Sequence, residues 1–108
     1  MRHRIALLLA LALIFAPSLV RAVDHNVSVG PGNVFSPQTV NINAGDRVIW
    51  TRLGGTHNVN SDTGLFGNAL SSSWSTHTVT FGGTGTFGYH CEAHGNPGVN
   101  MFGTVIVT

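Results

Sequence analysis

An all-β fold, a sandwich or barrel of about seven or eight short strands, is what this sequence predicts, and three observations carry the prediction. Short runs rich in Val, Ile, Thr and aromatic residues alternate apolar and polar positions with period two. Clusters of Gly, Pro and Asn interrupt them: Gly30-Pro31-Gly32, Ala44-Gly45-Asp46, Gly54-Gly55, Gly82-Gly83 and Gly95-Asn96-Pro97-Gly98. Beyond the N-terminal stretch, no segment repeats its apolar residues with a helical period.

The N-terminal stretch stands apart from that fold. Arg2, His3 and Arg4 precede an unbroken apolar run from Ile5 to Ala16, then Pro17 and the step Val20-Arg21-Ala22. A basic head, an apolar middle and a small-residue step describe a secretory signal peptide. The run falls short of the roughly 20 residues that a membrane-spanning helix needs. Residues 1–22 are therefore expected to be cleaved off, with an uncleaved anchor as the alternative, leaving residues 23–108 as one domain.

Along that domain, Val27 and Val29 share a strand face, and Val40 and Ile42 share another with Asn41 and Asn43 opposite. Val48 and Trp50 point away from Arg47 and Thr51. His57 begins a strand running to Asn60, and residues 61–75 read as loop. Thr76, Thr78 and Thr80 line one side of the next strand, with His77, Val79 and Phe81 on the other. Phe87, Tyr89 and Cys91 face the core from a further strand while His90 faces away. Met101 opens a final β-branched strand. Trp50, Trp74, Phe81 and Phe87 read as core, because strands favour aromatics.

Charge and cysteine usage narrow the function. After the leader there are two arginines, Arg47 and Arg52, against Asp24, Asp46, Asp62 and Glu92, and there is no lysine. Such a chain lacks the basic footprint of a nucleic-acid binder and the basic amphipathic helix of a membrane-surface protein. Cys91 is the single cysteine, so no internal disulfide can form. An unpaired thiol in an oxidising compartment is exposed to oxidation, and burial or a metal would protect it.

The chemistry concentrates in Phe87-Gly-Tyr-His-Cys-Glu-Ala-His94 and the following Gly/Asn/Pro loop to Met101. After the leader, Met101 is the only methionine. A thiolate and two imidazoles in a trigonal set, with a weak axial thioether, form an electron-transferring copper site of the blue type. His57, Cys91, His94 and Met101 are the candidates. Zinc is the rival metal, but a structural zinc site takes four strong ligands. Here the fourth would have to come from His90, Glu92 or another histidine, at no usual spacing. Read alone, His25 and His77 are solvated side chains, although His77 has core-facing parity, and neither has a metal role. His90 shapes an outer electron path or sits on the surface, and Glu92 is an exposed loop charge.

In their order, Phe35-Ser-Pro37, Val40-Asn-Ile42, Ala44-Gly-Asp-Arg-Val-Ile-Trp50, His57-Asn58-Val59, Gly85-Thr-Phe-Gly-Tyr89, Cys91-x-x-His94 and Met101-Phe-Gly-Thr-Val-Ile-Val107 resemble the cupredoxin family. Its small plastocyanin- and pseudoazurin-like members are the nearest in pattern. The resemblance implies a Greek-key β-sandwich that binds one copper ion, cycling between Cu(I) and Cu(II). It implies His57, Cys91 and His94 as equatorial ligands, with Asn58 hydrogen-bonded across to the cysteine segment and the edge of His94 as the electron exit, ringed by apolar surface. One departure stands out. The family usually places Met five residues after the histidine, where this chain has Val99, whereas Met101 lies seven after it. Counted back from Gly103-Thr-Val-Ile-Val107, Met101 falls in the expected place, so the ligand loop reads as lengthened by two residues.

The expectation is a monomeric electron carrier, periplasmic or secreted, that docks transiently on larger redox proteins. It binds neither nucleic acid nor, once the leader is gone, a membrane. It is not an enzyme, since no positioned nucleophile and base are evident. The alternative is copper storage or delivery through the same site. A third option is a sandwich with zinc or no metal.

Overall fold

The computed structural model describes residues 21–108. The predicted leader thus lies outside the described residues except for Arg21 and Ala22. What is described is all β, as expected: β1 (Asp24–Val29), β2 (Phe35–Ser36), β3 (Thr39–Ile42), β4 (Arg47–Arg52), β5 (Asn60–Ser61), β6 (Thr76–Thr80), β7 (Gly85–Asn96) and β8 (Val99–Val107). They form two four-stranded sheets, ordered β2-β1-β4-β6 and β3-β8-β7-β5. Strands β1 and β4 run parallel, as do β3 and β8, while β7 and β8 form a long antiparallel pair.

The period-two pattern decides which residues meet between the sheets. Val27, Val29, Val48 and Trp50 come from one sheet; Val40, Ile42, Tyr89, Cys91, Met101, Val105 and Val107 come from the other, and all are buried. Each such side chain contributes about 1.5–3 kcal/mol by leaving water. Trp50 is the hub. Its ring packs edge-on against Tyr89 at 5.2 Å and stacks on Phe66 at 5.9 Å. Burial pushes the Tyr89 phenol up to about 12, so it stays neutral in the core.

The sandwich has two poles. β1 and β4 both run from one to the other, β7 arrives at the second pole, and β8 leaves it. At the first pole Asp46 is buried, and its carboxylate accepts the backbone N–H groups of Val23 and Asn43 at 3.0 Å each. It also pairs with His25 Nε2 at 3.0 Å. His25 is therefore not the solvated side chain that the sequence suggested, because β1 lies beside the turn that carries Asp46. The candidate ligands gather at the second pole.

Two strand expectations need correction. The strand expected from His57 is only Asn60–Ser61. His57 instead makes an isolated bridge to Ser71, with N–H to carbonyl distances of 3.2 and 3.3 Å. The cause is local: the Asn68 side chain accepts the Val59 N–H at 2.8 Å, and the Asn68 N–H donates to the Val59 carbonyl at 2.9 Å. The segment before β5 is thus paired with the 66–71 loop. Met101, in turn, is the third residue of β8, because the strand already begins at Val99.

Candidate metal centre

A wide bulge in β7 builds the site. His90 pairs with Phe102 and Gly95 with Asn100, so Cys91, Glu92, Ala93 and His94 all face the single residue Met101. Extra residues on one strand bend it and re-aim its side chains. Here the bend brings Cys91 and His94 to the same side. The hairpin then closes through Pro97-Gly98, with φ of +69° at Gly98, the Pro-Gly pattern of a type II turn.

His57 arrives from the other side of the molecule. Its Nδ1 lies 3.8 Å from Cys91 Sγ, and His94 Nδ1 lies 3.6 Å from the same sulfur. All three donor atoms lie within 4.8 Å of one another. These separations also match those that a shared ion would set. Metal–nitrogen and metal–sulfur bonds of about 2.0–2.3 Å, opened to about 120°, put nitrogen and sulfur about 3.7 Å apart. The donor set thus fits a first-row ion held in a trigonal plane, and a thiolate with two imidazoles suits copper. Cys91 and His57 are buried and His94 is partly exposed. Met101 is 1% exposed and shares the wall of one surface depression with His94, Asn33 and Asn100. Val99 is 50% exposed and lies out on the hairpin. The two-residue lengthening is therefore absorbed by the hairpin, and Met101 keeps the inward position.

Neighbouring groups hold the histidines. Trp74 Nε1 donates to the His57 carbonyl at 2.8 Å. Burial first, then the neighbouring charge of His94, hold His57 below its usual range. Its ring is accordingly neutral near pH 7, with a lone pair available for a metal. The far edge of that ring is cradled by glycines. A Cβ on Gly55 would come 2.6 Å from His57 Nε2, and one on Gly30 would come 3.2 Å from it while striking the Gly54 carbonyl. Gly55 also sits at φ +85°, where other residues are strained. Arg52 pins this turn, donating to the Trp74 and Gly55 carbonyls at 2.7 and 3.2 Å. Gly55→Ala is expected to tilt the His57 ring and weaken copper binding by about ten- to a hundredfold, as changes beside a ligand do. Competition titration against a chelator measures this; unchanged affinity would remove the cradle from the account.

Asn58 lies as the resemblance implied. It is buried, and its Oδ1 accepts the Glu92 N–H at 2.9 Å. Its Nδ2 donates to Glu92 Oε1 at 3.0 Å and to the Asn68 carbonyl at 3.1 Å. Glu92, expected as an exposed loop charge, is exposed but is a strand residue that grips Asn58 from two sides. His90 differs from expectation as well. Its Nδ1 meets Asp62 Oδ1 at 2.6 Å and its Nε2 meets Asn60 at 3.3 Å, so it ties β7 to the β5 edge. His77, expected to be solvated, instead turns its Nε2 inward beside Trp50, because its strand parity faces the core, and Trp74 and Phe87 pack with it at the core margin. The glycine cradle and the Glu92 grip were not anticipated. The only sequence signal for the first was Gly54-Gly55 two residues before a histidine.

A two-sheet sandwich with a cysteine and two histidines converging at one pole defines a mononuclear copper protein of the cupredoxin class. Comparison with known proteins agrees. Residues 22–108 match the family of copper binding proteins of the plastocyanin/azurin type, and the chain belongs to that family. It is a copper protein and not an enzyme. It is 37% identical over 97 residues to the chloroplastic plastocyanin of Tetradesmus obliquus, covering 76% of this chain and 66% of that one, just under two thirds of its length. It is 35% identical over 99 residues to the plastocyanin of Scenedesmus fuscus, covering 78% of this chain and 99% of that one. Among solved structures, oxidised plastocyanin from Dryopteris crassirhizoma superposes with a TM-score of 0.67 at 24% identity, over 78% of this chain and all of that one. A Cu(I) form of an amicyanin variant gives 0.66 at 23% identity, over 79% and 82%. At these identities the structures speak for the fold.

Proposed function

We infer that the chain is a small exported carrier that moves one electron at a time, in which His57, Cys91 and His94, with Met101 as the weak fourth donor, would hold the copper. The observation that carries this reading is the pair of sulfur–nitrogen separations, 3.6 and 3.8 Å, at the values a shared trigonal ion requires. When bound, copper supplies a one-electron couple between Cu(II) and Cu(I). The chain supplies the rest. The Cys91 thiolate is the soft donor and the two imidazoles the borderline ones. The Asn58–Glu92 bonds and the glycine cradle hold these donors still, so little structure rearranges with the charge. His94 is the partly exposed candidate ligand and gives the shortest route to the surface. Around that pole Val34, Leu53 and Val99 are 53, 58 and 50% exposed, an apolar rim suited to brief docking on larger redox proteins. The carrier works as a monomer outside the cytoplasm, in a periplasm or secreted, after loss of residues 1–22. The basic head, apolar run and small-residue step of residues 1–22 support that placement.

The test is to load the leaderless chain with copper. An intense visible absorption band in the oxidised form, bleached reversibly by a one-electron reductant, is expected. A colourless copper-loaded protein would overturn the carrier reading in favour of storage or delivery. Met101→Leu is expected to keep copper bound and raise the reduction potential. Losing a donor costs Cu(II) more than Cu(I), and a tenfold change in their relative binding is about 59 mV for one electron. Voltammetry reads the shift; no shift would remove Met101 from the axis.

A further inference from the structure

We propose that Asp46 is the receptor for a new N-terminus: hydrolysis of the Ala22–Val23 bond releases an α-ammonium on Val23 that forms an ion pair with the Asp46 carboxylate. The proposal rests on the leader reading and is independent of the copper assignment. Its observation is the 3.0 Å bond from the Val23 backbone nitrogen to Asp46 Oδ1, at a carboxylate residue that is only 4% exposed. Arg21, Ala22 and Val23 themselves are exposed. The sequence places its small-residue step at Val20-Arg21-Ala22, so the nitrogen that this step would free is the one already against the carboxylate.

The chemistry balances. A leader peptidase adds water across the amide. The hydroxyl goes to the Ala22 carbonyl, which leaves as a carboxylate with the leader, and its proton and the hydrogen of water go to the Val23 nitrogen, which becomes –NH3+. A neutral amide donor is thereby replaced by a charged one at the same place, and hydrogen bonds with an ionised partner are about twice as strong as neutral ones. The other oxygen of Asp46 is occupied by His25 Nε2 and the Asn43 N–H. Arg47 is turned to Asp24, with Nε 2.6 Å from Oδ1, and its N–H donates to the Val23 carbonyl at 3.0 Å. The charged and titratable groups at this pole are thus Asp24, His25, Asp46, Arg47 and the terminus at Thr108, whose oxygen accepts the Ala44 N–H at 3.0 Å; neither Asp24 nor Arg47 bonds the Asp46 carboxylate. The device gives the processed chain a charged bond where the precursor has a neutral one, so the form that must be exported is the less stable one.

The pH dependence has a sign on each side. The hydrogen bonds from His25, Val23 and Asn43 hold the Asp46 carboxyl below its usual range. Its contribution is therefore present above the unfolded value of about 3.9 and is lost as pH falls through the lower folded value. An α-ammonium paired with a carboxylate has a raised value. Its contribution is complete below the unfolded value of about 7.7–8.0 and is lost as pH rises through the folded one.

The experiment uses two chains, one beginning at Val23 and one retaining Ala22, unfolded with urea under the same copper loading. At about pH 6, where the α-amino group is charged, the Val23 chain is expected to show an unfolding constant about five- to tenfold smaller, the gain from charging one donor. At about pH 10, well above the ordinary α-amino value, the gap is expected to close. N-acetylation of the Val23 chain should reproduce the Ala22 chain at both pH values, and Asp46→Asn should close the gap at the lower pH. Equal stability at the lower pH, a gap that persists at the higher one, or an exported protein whose mass begins at a residue other than Val23 would each overturn the proposal.

Discussion

Cys91→Ser is expected to abolish the intense visible band of the copper-loaded protein while leaving a folded sandwich. The two consequences separate because the residue has two roles. As a donor, the Cys91 sulfur lies 3.6 and 3.8 Å from the two imidazole nitrogens and is the soft group that gives a copper site its affinity for Cu(I). A serine hydroxyl is neither soft nor ionised near neutral pH, so copper affinity should fall by at least about a hundredfold, the upper range already seen for changes beside a ligand. As packing, Cys91 is fully buried between the sheets. Serine keeps the shape and buries a hydroxyl at about 1–3 kcal/mol, a loss that a domain with about 5–15 kcal/mol of stability survives. Absorption and near-ultraviolet circular dichroism read the two roles separately. A serine variant that keeps the band would mean that the colour does not come from this sulfur.

Much of this was legible in the chain because two independent signals agreed. The period-two runs of β1, β3 and β4 became the buried faces they implied, and His77 and Val79 of β6 a half-buried one, since burial of one sheet face enforces alternation. The ligand candidates were legible from residue types that have few other uses together in so small a chain. The lengthened loop was ambiguous because two counts disagreed, one forward from His94 and one back from Gly103. The structure shows why the backward count places Met101 inside. Register along β8 is held by pairing with β7 on the far side of the bulge, and that pairing is insensitive to hairpin length.

What sequence could not supply was long-range polar pairing. The pairings of His25, His90 and Glu92 are invisible in the sequence because their partners, Asp46, Asp62 and Asn58, lie 21, 28 and 34 positions away. Nothing in local spacing signals such pairs. The strand expected at His57 failed for a related reason. Its backbone was claimed by Ser71 and its neighbour Val59 by Asn68, a loop whose Ser-rich composition has no periodicity to read. The correction matters to function, because a residue on a bridge between loops needs other restraints, and Arg52, Trp74 and the two glycines provide them.

Asn58→Ala is expected to lower the melting temperature of the copper-loaded protein by about 10–30 °C, at about 4–8 °C per kcal/mol for a domain of this size. Asn58 is 1% exposed and makes three hydrogen bonds, two of them to Glu92. Alanine removes all three and strands the Glu92 N–H, for a loss of about 2–4 kcal/mol. Position makes this more than a stability effect. Asn58 directly follows His57 and Glu92 directly follows Cys91, so these bonds hold the two donor-bearing segments in register before any metal arrives. Without them, copper must order the segments itself and binds more weakly. By linkage the copper-loaded form then loses more stability than the metal-free form, and the excess equals the loss of binding energy. Paired melts of both forms, wild type and variant, give that excess directly. Glu92→Gln keeps an acceptor on the side chain without its charge, and should retain most of the difference that alanine removes. Equal drops in the two forms would mean that Asn58 stabilises the sandwich without preparing the site, and the rigidity on which easy electron exchange depends would have to come from the β7 bulge and the glycine cradle alone.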